Sequence, residues 1–202
     1  MKNHDIVIVL VHEIYGVNEH MKYMEERLSR LGIDIICPNL LHEEISYSYK
    51  EEEIAYENFT QNIGFEDGMK QVNQVVAELK QKYKRVGVVG FSIGATISWL
   101  YSENQMCDFV IGCYGSRIRN YVDVEPTCPT LLIFANEEKA FDVHKLVDVL
   151  EKKGHSFLEV RNFEGTHGFM DPFSDNYNDL TSKQALRCID EFVQKQLSAS
   201  FL

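Results

Sequence analysis

VGVVGFSIGATIS, residues 86–98, sets a serine between two glycines at the point where an apolar, β-branched run gives way to a helical pattern. The residues before Ser92 read as a buried strand and those after it as the start of a helix. A polar side chain gains nothing at such a junction unless the backbone there is sharply turned. The spacing Gly90-x-Ser92-x-Gly94 is what that turn demands, because a strained serine backbone leaves no room for side chains two residues before or after it. The stretch therefore predicts a nucleophile elbow, which lifts the Ser92 hydroxyl off the end of a sheet. Ser98 and Ser102 lie further along the same helical pattern without that setting and read as ordinary helix residues.

Working outward, apolar runs at 5–12, 33–38, 85–91, 109–115, 130–135 and 156–163 read as strands. Helical spacing recurs at 18–31, 66–83, 93–104, 142–153 and 179–197. Strands with near-continuous apolar faces alternating with helices predict an α/β fold: a mostly parallel central sheet with helices on both faces. With 202 residues, 45% of them hydrophobic, the chain reads as a single domain spanning 1–202. Two segments, 39–64 and 164–178, are less regular, and both follow predicted strands. Open parallel sheets bind their ligands beyond the carboxyl ends of the strands, so these segments are expected at the site. The run Lys50-Glu51-Glu52-Glu53 reads as a solvated helix start.

Composition removes several classes of function. A net charge of −11 repels phosphate backbones and anionic lipid surfaces, so neither nucleic acid nor a membrane is expected as a partner. The apolar run Ile6 to Val11 is cut off by His12 and Glu13, too short to span a bilayer, and no export signal is visible. The five cysteines, Cys37, Cys107, Cys113, Cys128 and Cys188, show no Cys-x-x-Cys spacing and no histidine cluster beside them. Buried free thiols, no metal site and a cytoplasmic location are the expectation, and the oligomeric state is left open.

A serine hydroxyl needs a base to take its proton during attack, most often histidine. His167, in the glycine-flanked loop GTHGF after the last predicted strand, is the favoured base. His12, at the end of the first strand, and His42, in a loop, are alternatives that would line the cleft, whereas His4, His20, His144 and His155 read as surface residues. A carboxylate must hold the other ring nitrogen. The stretch ANEEKAFD, which follows the strand before that of His167, offers Glu138 first, with Glu137 and Asp142 as alternatives; Asp142 also suits the N-cap of the helix starting near Val143.

These residues carry a family resemblance. IVIVLVHEIYGVNEHMKYMEERLSRLGIDIICPNL (6–40) resembles the amino-terminal signature of the dienelactone hydrolase family, in which a strand leads into Glu-x-x-Gly-x-Asn, a helix, and a second strand ending in Cys-Pro. GFSIGA, TLLIFANEE and GTHGF then follow in the family's order, so the resemblance spans about residues 5–197. It implies an α/β-hydrolase fold, cleavage of an ester or lactone, and no cofactor. It also implies roles: Ser92 as nucleophile, His167 as base, Glu138 as the nearest match to the acid, and Glu13 as a carboxylate near the nucleophile. The oxyanion hole would be formed by the backbone amides of Ile14 and Ile93. The Ile93 amide has a reason of its own, since it opens a helix and lacks an intrahelical partner.

The chain departs from the resemblance in places that bear on substrate. The family's usual cysteine nucleophile is serine here and its aspartate is glutamate, and a hydroxyl, unlike a thiol, does not ionise near neutrality. Family members hold a carboxylate-bearing lactone with two arginines, yet 39–64 contains none, and the position four residues past His167 is Asp171. Tyr47, Tyr49, Tyr56, Phe59, Phe169, Met170 and Phe173 occupy those regions instead, with Tyr114 and Arg117 after another strand. A pocket touched by Tyr114 and Phe169 that accepts a small neutral ester, lactone or thioester is expected. The reaction would run through an acyl-Ser92 intermediate; acyl transfer would use the same three residues, and the rival is a non-catalytic binding protein on this scaffold.

Overall fold

The computed structural model describes residues 5–42 and 45–198. Six strands, β1 (Ile6–Val11), β2 (Asp34–Ile36), β3 (Arg85–Phe91), β4 (Phe109–Cys113), β5 (Thr130–Glu137) and β6 (Leu158–Thr166), form one sheet in the order β2-β1-β3-β4-β5-β6. Every adjacent pair is parallel. Because β1 has β2 on one side and β3 on the other, the crossovers leave it in opposite directions. Open α/β sheets bind their ligands at such a reversal, beyond the carboxyl ends of the strands, here those of β1 and β3.

All six residues of β1 are buried, and their period of two divides the core. Ile6, Ile8 and Leu10 join Met21, Met24 and Leu28 of helix α1 (Glu19–Ser29) and Ile189, Phe192 and Val193 of α6 (Asp179–Ser198) on one face. Val7, Val9 and Val11 face Val72 and Val76 of α3 (Gly64–Leu79) and Ile97 of α4 (Ile93–Tyr101) on the other. Under α5 (Val143–Lys152), Trp99, Leu132, Phe134 and Leu146 extend that second layer. The apolar strands and both helical layers match the expected architecture.

The segment 49–64 is more ordered than its sequence suggests. A 3-10 turn at Tyr49–Glu51, helix α2 (Glu52–Asn58) and a π-helical turn at Phe59–Ile63 run directly into α3. Ser48 and Glu51 cap its start, the Ser48 amide donating to Glu51 Oε2 at 2.9 Å. Within α2 only Ala55 is buried, so no apolar stripe marks it in the sequence. The strand predicted for 33–38 shrinks to three residues at the sheet edge, and that predicted for 156–163 begins later and runs to Thr166.

Gly87 shows how a strand glycine serves packing. It lies opposite Phe109 in the β3–β4 ladder, and a Cβ built there would sit 2.1 Å from the Phe109 ring, which meets Phe192 of α6 edge-on with ring centroids 6.4 Å apart. Gly87→Ala should therefore lower the unfolding free energy by about 1–3 kcal/mol, read from denaturant midpoints. Adding Phe109→Leu should recover part of that loss.

Candidate active site

Ser92 sits between β3 and α4 with φ 54° and ψ −113°, a left-handed backbone that a side-chain-bearing residue adopts only under constraint. A Cβ on Gly90 would lie 2.1 Å from the Gly94 carbonyl oxygen, and one on Gly94 would lie 2.3 Å from that of Val11. Both glycines of the motif are thus required by close backbone approach. The Ser92 amide donates to Cys113 O at 2.9 Å, tying the turn to β4, while the amides of Ala95 and Thr96 both return to Ser92 O.

His167 lies just past β6, in a turn closed by the Phe169 amide on Thr166 O at 3.1 Å and by Asn176 Nδ2 on His167 O at 2.9 Å. Its Nε2 is 2.9 Å from Ser92 Oγ and its Nδ1 is 2.7 Å from Glu138 Oε1. Glu138 follows β5, where the ladder to β6 slips between Ala135 and Glu137, and Asn136 Oδ1 accepts from the Gly165 amide at 2.9 Å across the slip. The slip changes the side-chain alternation and leaves Glu138, with its side chain 6% exposed, on the imidazole. Glu137 remains exposed, and Asp142 caps α5 by accepting from the Lys145 amide.

Burial pulls His167 toward the neutral form. The hydrogen bond and charge of Glu138, with the charges of Glu13 and Glu52, outweigh it and raise the imidazole above its ordinary value. Ile14 and Ile93 are nearly buried, and neither amide donates a hydrogen bond among the described residues. At Gly94, α4 leans on the carbonyls of Val11 and His12, so the loop holding Ile14 abuts the turn that carries Ile93.

Glu13 is almost fully buried, and its Oε2 is 3.4 Å from Nδ1 of His20. Burial would push its carboxyl up, but the charge and hydrogen bond of His20, with smaller contributions from His167 and Tyr114, hold it below the usual carboxylate range. The same ring nitrogen is 3.9 Å from Asp171 Oδ2. Ligand atoms of Glu13, His20 and Asp171 all lie within 4.8 Å of one another, a spacing that could hold a cation, although here the imidazole itself and the Tyr49 hydroxyl engage the carboxylates.

Several expectations need correction. His20, read as a surface residue, is fully buried: it shares the i, i+4, i+8 face of α1 with Met24 and Leu28, a signal present in the sequence. Tyr114 and Phe169, expected at the substrate pocket, are closed to solvent. The turn after Thr166 folds Phe169 under the site, and the Tyr114 ring lies 5.1 Å from that of His167 and 5.9 Å from that of Phe169. The Tyr114 ring packs against the imidazole, and its hydroxyl, pushed well up by burial and by the Glu13 charge, makes no well-formed hydrogen bond among the described residues. Phe59 and Met170 are also buried.

His12 is buried and occupied elsewhere, with Nε2 accepting from the Leu40 amide at 2.8 Å and Nδ1 2.5 Å from Glu13 O; burial lowers it to about 4. His42 is exposed and pairs with Asp67, and His4 lies outside the described residues. Nearer solvent, Tyr15 and Tyr49 meet edge to face at 4.8 Å, the Tyr47 amide donates to Tyr15 O at 2.9 Å, and Arg117 donates to the half-exposed Tyr56 hydroxyl.

A parallel sheet with this strand order, a serine on a strand-to-helix turn and a histidine past the last strand define an α/β-hydrolase fold. Within it, the chain belongs to the Dienelactone hydrolase family, whose sequence pattern matches residues 2–197, and so to the hydrolases of ester and lactone type. It is 38% identical over 198 residues to the uncharacterized protein YczH of Bacillus subtilis (strain 168), covering 96% of this chain and 97% of that one. It is 24% identical over 179 residues to the carboxymethylenebutenolidase of Pseudomonas putida, covering 76% of this chain and 75% of that one. The fold is similar to that of the Pyrococcus furiosus esterase Pf2001, with a TM-score of 0.71 and 16% identity over 96% of this chain and 85% of that one.

The three candidate acids are separable by mutation. Asp142→Ala should cost about 1 kcal/mol of stability through the lost helix cap, measured by denaturation, and leave ester turnover at the parent level.

Proposed function

We propose that this chain is a serine hydrolase that cleaves a small neutral ester, lactone or thioester through a covalent acyl-Ser92 intermediate. The observation that carries the reading is the unbroken chain from Glu138 Oε1 through both ring nitrogens of His167 to Ser92 Oγ, at 2.7 and 2.9 Å, on a strained turn.

His167 Nε2 takes the Ser92 proton as Oγ attacks the acyl carbon, and Glu138 fixes the tautomer with the proton on Nδ1 and stabilises the imidazolium that forms. The imidazolium then protonates the leaving oxygen or sulfur. Water, deprotonated by the same nitrogen, releases the acid and restores Ser92. The amides of Ile93 and Ile14 are the donors for the tetrahedral oxyanion, each contributing about 3–4 kcal/mol. No cofactor enters this scheme.

A neutral substrate fits the charges around the imidazole. Glu13, Glu52 and Glu138 all act on His167, and Asp171 acts on nearby Tyr15 and Tyr49. A carboxylate-bearing substrate would meet these carboxylate charges beside the imidazole, with Arg119 and Arg117 on the side of Glu138 and Tyr56. The half-buried rings of Tyr15 and Tyr49 offer it apolar surface instead.

Ser92→Ala should abolish hydrolysis of 4-nitrophenyl acetate and labelling by a serine-directed phosphonate while the protein stays folded; turnover that survives would overturn the assignment. A non-catalytic binder would leave the parent protein unlabelled. Glu138→Gln should cut kcat by about 10⁴-fold.

The pH profile supplies a separate check. Attack requires neutral His167, so kcat/KM falls as pH drops through its value. Because that value is raised by Glu138, the acid limb should lie at higher pH than an ordinary imidazole would give. In Glu138→Gln the largest raising contributions are gone, and the limb should move to lower pH.

A further inference from the structure

We propose that His20 is a positioning residue for this site, its buried imidazole holding in register the three segments that carry the Ile14 amide, the base His167 and the nucleophile Ser92. The inference rests on the Ser92–His167–Glu138 reading above.

His20 is fully buried, so it meets no substrate. Its surroundings are the residues next to each working group. Glu13, immediately before Ile14, lies 3.4 Å from Nδ1; Asp171, four residues past His167, lies 3.9 Å from the same atom; and the ring of Phe91, immediately before Ser92, meets the imidazole edge-on at 4.9 Å. A carboxylate only accepts, so Nδ1 carries the proton and turns it toward both acids. The same Asp171 oxygen, Oδ2, accepts from the Tyr49 hydroxyl, which in turn receives Asn18 Nδ2 at 3.3 Å, and Asn18 is the N-cap of α1. The Asp171 amide donates to Gly168 O at 2.9 Å, which ties this acid to the turn bearing His167.

Two buried carboxylates with oxygens within 4.8 Å of one another repel, and burial leaves that repulsion weakly screened. The imidazole between them supplies a donor and bulk at once. Without it, Glu13 and Asp171 must separate or take up protons, and either response moves the backbone at Ile14 and the turn beneath His167. Removing the Glu13 carboxylate as well takes away the repulsion that His20 counters. His20 therefore acts through Glu13, and the two losses should not multiply.

The test is a double-mutant cycle of His20→Gln and Glu13→Gln, with kcat and KM measured on 4-nitrophenyl acetate and folding followed by thermal unfolding. Expected are a fall in kcat of about tenfold or more in His20→Gln at unchanged KM, and a double variant no slower than the slower single one. An unchanged kcat, a rise in KM that accounts for the loss, or losses that multiply would overturn the proposal. Should His20→Gln alone not fold, the double variant, freed of the repulsion, should fold and match Glu13→Gln in kcat; a double variant that is equally unfolded overturns it. Multiplying losses beside an inactive Ser92→Ala sink this inference alone, whereas turnover in Ser92→Ala sinks the reading beneath it.

Discussion

The left-handed backbone at Ser92 is the constraint on which the rest of the molecule depends. Held at φ 54°, it stores about 1–3 kcal/mol of strain, which persists only because its neighbours leave no alternative. Gly90 and Gly94 allow β3, α4 and the end of β1 to approach within distances that no Cβ permits. The Cys113 carbonyl anchors the Ser92 amide from the other side. That crowding brings the end of β1 against the first turn of α4, so the amides proposed for the oxyanion hole lie just past two strands that are neighbours in the sheet.

A second constraint is charge. The site gathers acidic groups around its imidazoles: Glu138, Glu13 and Glu52 act on His167, while Glu13 and Asp171 converge on His20. A buried carboxylate is tolerated only with a partner, and each of the inner ones has one. Glu138 has His167, Glu13 has His20, and Asp171 has Tyr49. At position 171, where the resemblance leads to an arginine, the chain carries an aspartate engaged by Tyr49 and facing His20.

Much of the fold was legible because parallel strands buried on both faces read as plain apolar runs, and β1, β3 and β5 are of that kind. The elbow was legible because steric exclusion leaves a fixed glycine spacing. What escaped depended on contacts remote in the chain. Helix α2 buries one residue and carries no periodic signal. The slip between Ala135 and Glu137, which sets Glu138 apart from its neighbour Glu137, follows from how β5 meets β6. Tyr114 and Phe169 have the composition of pocket residues, and only the turn after Thr166 puts them underneath the site. His20 is a different case: its place on the apolar face of α1 was readable, and the polar residues around it hid the pattern.

The position of β6 has one more consequence. It is an edge strand, paired among the described residues with β5 alone, yet the histidine stands just past its tip and its partner serine just past the end of β3, three strands further in. Peripheral strands open at lower free energy than central ones, so detachment of this margin would part the imidazole from both its neighbours while β1, β3 and β4 stay assembled. Inactivation by mild denaturant would then precede the loss of bulk helical signal, and the durability of the enzyme would be set by one sheet border rather than by its centre.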